Sequence, residues 1–168
     1  MVMSKFSRIV SHMTTTRGHV SRAFSAKSMK AIEQAIKAAE VGHAGEIRFV
    51  VEGALDGLPL VKGQSARERA IEVFSLLRIW DTEHNSGVLI YLLLADRRVE
   101  IVADRGIHAR VGTGGWEALC RDMESSFRRA QYEQGAVACI NSVAQQLARH
   151  FPSPGHAYNE LPDAPVVL

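Results

Sequence analysis

A nearly continuous apolar run from Gly87 to Ala95, with the sequence GVLIYLLLA, constrains the fold of this chain more than any other segment. A strand with one solvated face alternates apolar and polar residues, whereas a strand covered on both faces is apolar throughout. The run is also far shorter than the roughly twenty residues that a helix needs to span a bilayer. It therefore predicts a central strand whose sheet carries helices on both faces.

Two further strands are predicted around this run. The segment Glu46 to Val51 is short and rich in β-branched and aromatic residues. Val99 to Ala103 follows the central strand after a tight turn at Asp96 and Arg97. Because a helix separates the first two strands, they should run parallel to each other. The short turn makes the third strand antiparallel to the second.

Helical periodicity and capping residues predict four helices. In chain order, the expected starts are Ser28 as an N-cap, the S-x-x-E capping box of Ser65 and Glu68, Thr113 or Gly114, and a position near Gly135. The resulting order is α-β-α-β-β-α-α. It predicts an α/β fold, namely a three-layer α/β/α sandwich around a small mixed sheet.

The chain of 168 residues has the length of one domain, and its ends differ from its middle. Residues 1–24 contain Lys5, Arg8, Arg17 and Arg22 but no acidic residue, which predicts a basic, weakly packed arm. The folded domain is expected over residues 25–151. Four of the five prolines fall within residues 152–168, which predicts a flexible, extended tail.

Composition excludes several classes of protein. Hydrophobic residues make up 46% of the chain, too many for a disordered protein. The net charge of +2 does not indicate a nucleic-acid partner. Cys120 and Cys139 lie alone in predicted helices and do not indicate a disulfide scaffold. No segment has the apolar core of a secretory signal. We therefore expect a cytoplasmic protein without a transmembrane segment.

Side chains with oxygen donors converge on one edge of the predicted sheet, where the two parallel strands begin and the antiparallel strand ends. The residues that the topology places there are Glu46, Asp81, Glu83, Asn85 and Asp104. Because Ca²⁺ and Mg²⁺ prefer such oxygen ligands, this edge is a candidate divalent-cation site. In the alternative interpretation, Asp81 and Asn85 bond turn backbone groups while Glu83 pairs with Arg48 or Arg105.

No motif assigns a catalytic residue or an organic cofactor. The stretch Gly112-Thr113-Gly114-Gly115 precedes a predicted helix, but it lacks the third glycine of a dinucleotide fingerprint and the lysine of a Walker loop. The seven histidines are scattered without an H-E-x-x-H pattern, and no G-x-S-x-G elbow is present. The catalytic residues are therefore unknown at this stage.

Several short motifs occur in an order that resembles one known family. They are Arg67-Glu68-Arg69-Ala70, Trp80, Asn85-Ser86-Gly87-Val88-Leu89-Ile90, Asp96-Arg97-Arg98-Val99-Glu100-Ile101 and Asp104-Arg105-Gly106-Ile107. Together they are similar to the TPM domain family, named after a thylakoid lumen protein, a photosystem II protein and a nematode receptor modulator. The similarity covers roughly residues 25–150. His108 stands where the family's Gly-Tyr-Gly-Leu-Glu ending has its glutamate.

The resemblance implies an α/β/α sandwich, a bound divalent cation that is commonly calcium, and a phosphatase activity in part of the family. Other members resemble assembly or repair factors for membrane complexes. We therefore expect an interaction or assembly module that is modulated by Ca²⁺ or Mg²⁺. Its expected partner is a protein, either a soluble one or one associated with a membrane. The alternative function is a weak metal-dependent (acid) phosphatase.

Overall fold

The computed structural model describes residues 5–153, 155 and 159–168. Its helices are α1 (Lys5–Thr14), α2 (Arg17–Ala23), α3 (Ala26–Glu40), α4 (Gly57–Val61), α5 (Ala66–Leu76), α6 (Arg105–Arg128) and α7 (Tyr132–His150). Its strands are β1 (Glu46–Glu52), β2 (Gly87–Leu93), β3 (Arg98–Ala103) and β4 (Val166–Val167). None of the described helices is both long enough and apolar enough to cross a membrane.

The four strands form one sheet in the order β3-β2-β1-β4. Strand β2 pairs in parallel with β1, with Glu46 opposite Gly87, and antiparallel with β3, with Val88 opposite Ala103. Every residue of β1 and β2 is buried. The predicted central strand, with one parallel and one antiparallel neighbour, is therefore confirmed.

Alternate residues of the strands contribute to two hydrophobic cores, one on each face of the sheet. Helices α3, α6 and α7 cover the first face, where Phe49 and Ile90 are buried together with Ile36 of α3. Helix α5 covers the second face, where Val73 packs with Leu89. Burying a side chain of this size contributes about 1.5–3 kcal/mol. The three layers confirm the predicted α/β/α architecture.

Two of the predicted helix starts can be compared with their capping residues. The capping box at α5 is confirmed: the N–H of Glu68 donates to the Ser65 hydroxyl, and the Glu68 carboxylate accepts from the Ser65 N–H at 2.7 Å. Helix α3 instead begins three residues earlier than expected. Its N-cap is Ser25, whose hydroxyl accepts from the N–H of Ser28 at 3.1 Å.

Helix α6 also begins earlier than the glycine-rich stretch predicts. Asp104 is its N-cap and accepts from the N–H of Arg105 at 2.7 Å. The expected start at Thr113 corresponds to a kink, because Gly112 has a φ of +76° inside the helix. Glycine adopts this left-handed conformation without the steric cost that other residues incur.

Residues 5–24 differ from the weakly packed arm that we expected. Helices α1 and α2 lie there, and Val20 and Phe24 are buried in the core on the first face. The side chains of Arg8 and His12 both bond to Asp96 in the turn between β2 and β3. The sequence pattern did not predict this contact, because α1 packs on the domain through its polar side.

Residues 159–168 likewise differ from the flexible tail that the prolines suggested. Strand β4 pairs in parallel with β1, and the N–H of Leu168 donates to the carbonyl of Val51 at 2.9 Å. Proline is compatible with a short edge strand when it precedes the residues that bond. The tail residues 154 and 156–158 lie outside the described residues.

Candidate functional site

A cleft of about 200 Å³ lies where α3 ends and β1 begins, and we call it the acidic cleft. Its lining residues are Lys37, Glu40, Val41, His43, Ala44, Gly45, Glu46, Asn159 and Asp163. Three carboxyl groups, from three separate chain segments, therefore face one small space. Only Glu46 belongs to the cation site that was predicted from the sequence.

Glu46 holds the C-terminal segment through its carboxylate. Its two oxygens accept the backbone N–H groups of Glu160 at 2.9 Å and Leu161 at 3.3 Å. Burial raises the pKa of Glu46 to about 7, although both hydrogen bonds favour the charged form. The side chain therefore holds its proton to a much higher pH than an ordinary glutamate does.

Glu40 and Asp163 form the second part of the acidic cleft. Burial, together with the charges of Glu46 and Asp163, raises the pKa of Glu40 to about 9. Asp163 is buried and accepts from the side-chain amide of Asn159 at 2.6 Å. Glu40 therefore keeps its proton at neutral pH, and the nearby Asp163 carboxylate favours this protonated form.

The buried cation nearest to these carboxyl groups is Arg48. Its Nη1 donates to the carbonyl of Ala164 at 3.3 Å, and its charge attracts Asp163, Glu40 and Glu46. Among the described residues, Arg48 has no carboxylate within ion-pair distance. Lys37 also lines the cleft but is paired with Glu33 at 2.7 Å. The three carboxyl groups therefore face two cations, and neither forms an ion pair with them among the described residues.

His43 lines the acidic cleft and is 1% exposed. Its Nδ1 lies 2.9 Å from the carbonyl oxygen of Gly45 and 3.3 Å from the backbone nitrogen of the same residue. The shorter contact favours the tautomer with the proton on Nδ1. Its Nε2 is buried and has no hydrogen-bond partner in the described structure. Burial lowers the pKa of His43, so a neutral ring with a lone pair on Nε2 results.

The structure separates the other predicted cation ligands. Asp81 is exposed and accepts from Arg78 at 2.7 Å, and Glu83 contributes its backbone N–H to the carboxylate of Glu160 at 3.1 Å. Asp81 is therefore paired with an arginine, and the Glu83 side chain lies outside the acidic cleft. The pairing of Glu83 with Arg48 or Arg105, which was the alternative, is not found among the described ion pairs.

Asn85 and Asp104 are the two predicted ligands that the structure brings together. The side chain of Arg105 donates to Asn85 Oδ1 at 3.3 Å, and its backbone N–H donates to Asp104 Oδ1 at 2.7 Å. Asp104 Oδ2 is buried without a hydrogen-bond partner in the described residues. Within the described ranges, no three His, Cys, Asp or Glu side chains could hold a metal ion as they stand.

The remaining reactive groups are held in unreactive states. Cys120 is partly buried, and burial raises the pKa of its thiol to about 12. Cys139 is buried in the core, and burial raises the pKa of its thiol as well. Because the thiolate is the nucleophilic form, neither cysteine is activated at neutral pH.

Sequence reasoning missed Glu40, His43 and Asp163 as residues of this site. For His43 the available signal was its place in His43-x-Gly45-Glu46, three residues before the predicted ligand Glu46 at the start of a strand. Asp163 had no signal, because its position depends on how the C-terminal segment docks.

Two proteins of known structure share the fold of this chain. It is similar to the BA42 protein of the psychrophilic bacterium Bizionia argentinensis, with 30% identity and a TM-score of 0.76 over 86% of this chain and 95% of that one. The N-terminal domain of a protein from P. gingivalis shares the fold, with 18% identity and a TM-score of 0.61 over 82% of each chain. No curated protein matches. The TPM domain profile matches residues 20–146, and the chain therefore belongs to the TPM domain family.

Proposed function

We propose that this TPM domain is an interaction module and that a divalent cation modulates it at the acidic cleft. The observation that carries the proposal is the gathering of Glu40, Glu46 and Asp163 around one cleft. Carboxyl groups that are forced together in a buried place hold protons, as the raised pKa values of Glu40 and Glu46 indicate. A cation would replace those protons and let the groups ionise.

The donor types in the acidic cleft suit a hard cation. Calcium accepts carboxylate, amide and backbone carbonyl oxygens together with water. Asp163 and Glu46 would supply the carboxylates, and Asn159 the amide oxygen. Because three acidic or imidazole side chains do not converge closely enough to form a ready ligand set, the ion would keep several waters and bind with modest affinity.

Modulation would act through residues 159–168. This segment is held by Glu46 through two backbone N–H groups, and Asp163 belongs to it. A cation shared between Glu46 and Asp163 would tie the segment more firmly to the end of β1. A partner that binds over the segment would then be sensitive to the cation.

The proposal is tested by a thermal-shift and calorimetric titration with Ca²⁺ and with Mg²⁺. We expect millimolar calcium to raise the melting temperature, because it binds the folded state preferentially. Asp163→Asn should abolish the shift, whereas Asp81→Asn, which alters an exposed pair outside the cleft, should retain it. If the shift is lost in Asp81→Asn instead, the cation binds at the sheet edge and the cleft assignment is overturned. No heat and no shift in the unmodified chain would exclude cation modulation.

The phosphatase alternative, which the family resemblance implied, is tested in the same samples. Turnover of p-nitrophenyl phosphate would be measured with and without each cation. We expect cation binding without turnover. Cation-dependent turnover that disappears in Asp163→Asn would favour the enzyme over the interaction module.

A further inference from the structure

Helix α1 turns its apolar side to the solvent. Phe6, Ile9, Val10 and Met13 lie on one arc of about 100° of the helix, because residues three and four apart share a face. All four are exposed, Phe6 to 78% and Met13 to 77%. This orientation is the reverse of what a surface helix of a globular domain normally adopts.

The opposite, polar side of α1 fixes this orientation. Arg8 donates to both oxygens of Asp96 and also to the carbonyl of Gln64 at 2.6 Å. The hydroxyl of Ser11 donates to the carbonyl of Ala95 at 2.7 Å. Rotating the helix to bury its apolar side would break these bonds and leave Asp96 without its arginine.

His12 adds to the attachment and is only 3% exposed. Its Nδ1 accepts the N–H of Leu55 at 2.9 Å, so its proton resides on Nε2, which donates to Asp96 at 2.9 Å. Both ring nitrogens are thus used within the domain. The apolar side is exposed because the polar side is docked.

The surroundings of α1 in the chain are basic. No Asp or Glu occurs before Glu33. Five exposed basic residues have no ion-pair partner among the described residues, and they are Lys5, Arg17, Arg22, Lys27 and Lys30. An exposed apolar helix face, with unpaired basic residues on the same helix and on the next two helices of the chain, has the chemistry that an anionic membrane surface attracts.

We propose that α1 docks the protein on an anionic membrane surface. The side chains of Phe6, Val10 and Met13 would enter the boundary between headgroups and acyl chains, and the basic residues would contact anionic headgroups. Four apolar side chains are few for a stable interface with a second copy, which normally uses about 20–30 residues a side. The proposal concerns a different part of the molecule from the acidic cleft and does not depend on the proposed function.

The test is co-sedimentation of the full chain with vesicles of phosphatidylcholine, with and without phosphatidylglycerol. We expect binding to the anionic vesicles that weakens as salt is raised. The double variant Phe6→Glu, Met13→Glu should bind the anionic vesicles at least about tenfold more weakly. The matched control is Leu58→Glu on α4, which also places a charge at an exposed apolar position and should bind as the unmodified chain does. Because all three positions are exposed, the melting temperatures should remain similar.

A second variant separates charge from apolar contact. Arg17→Gln with Arg22→Gln should weaken binding to anionic vesicles and leave the apolar face unchanged. Equal sedimentation of the Phe6→Glu, Met13→Glu variant and the unmodified chain would overturn the proposal. A second result would also overturn it: the unmodified chain does not bind vesicles and is a dimer in analytical ultracentrifugation, whereas the Phe6→Glu, Met13→Glu variant is a monomer. The apolar face of α1 would then contact a second copy of the chain.

Discussion

Buried carboxyl groups at the two ends of the central sheet have opposite electrostatic surroundings. At the end where β1 and β2 finish, Asp96 receives hydrogen bonds from Arg8 and His12. At the end where they begin, Glu40 and Glu46 share the acidic cleft with Asp163, and Arg48 is their buried counter-charge at longer range. At the first end, Asp96 joins α1 to the domain through ion pairs. At the second end, none of the three carboxyl groups has an ion-pair partner among the described residues.

The pKa values record this difference. Burial of Asp96 opposes its charged form, but the hydrogen bonds from Arg8 and His12 outweigh burial and lower its pKa. Burial of Glu40 acts in the same direction, and the long hydrogen bond from the Ile47 N–H at 3.4 Å does not outweigh it, so the pKa of Glu40 rises to about 9. Burial alone therefore does not decide the charge of a carboxyl group here. The nearest hydrogen-bond donors and charges decide it as well.

Removing the contacts at the Asp96 end should have the largest effect on stability. Deleting residues 1–20 removes Arg8 and His12 from Asp96 and Val20 from the core. We expect the melting temperature to fall by more than about 8 °C, on the order of 2 kcal/mol or more for a chain of this size. A calorimetric scan of the truncated and full chains measures the change. An unchanged melting temperature would show that α1 and α2 do not stabilise the domain.

A single substitution at the same end should have the next largest effect. Asp96→Ala leaves the Arg8 charge and the buried His12 without their acceptor, which should lower the free energy of unfolding by about 2–3 kcal/mol. Asp81→Ala is the matched control, because it breaks an exposed pair with Arg78 that is worth at most about 0.5 kcal/mol. Urea denaturation of both variants measures the difference. Equal midpoints would mean that the Asp96 contacts contribute no more than a surface pair.

The central part of the fold could be predicted because each signal was local. The apolar run from Gly87 and the tight turn at Asp96 determine a buried strand and its antiparallel neighbour within a few residues. The attachment of α1 could not be predicted in this way, since Arg8 and Asp96 are 88 positions apart. Pairing of this kind depends on tertiary contacts, and a helix that docks through polar residues shows no apolar stripe toward the domain.

The site was predictable only in part for the same reason. The topology correctly placed Glu46 at the edge where the parallel strands begin, and it brought Asn85 and Asp104 together through Arg105. The partner of Glu46 could not be foreseen, because it is the backbone of residues 160 and 161 in a proline-rich segment. Divalent-cation binding by these residues remains a prediction.

The smallest expected effect is a pH dependence that separates the two ends. Glu40 has a pKa near 4.5 when unfolded and about 9 when folded, so the folded state binds more protons between these values. Stability from this group is complete below its unfolded pKa and is lost as pH rises toward 9. Asp96 has a lowered pKa, so its contribution is lost only in acid, as pH falls below its ordinary value of 3.8.

Between pH 7 and pH 8, therefore, Glu40 should change the stability and Asp96 should not. We expect the free energy of unfolding to fall by about 1 kcal/mol over this pH unit, with a smaller part from Glu46, whose folded pKa is about 7. Glu40→Gln should flatten most of the slope, because the amide keeps a donor toward Asp163 and does not titrate. Glu117→Gln on α6, where the side chain is exposed and pairs with Arg121 outside the cleft, should keep the full slope. Urea titrations at the two pH values measure both slopes. An identical slope in Glu40→Gln and the unmodified chain would mean that Glu40 is already ionised in the folded protein at these pH values and that its pKa is not raised.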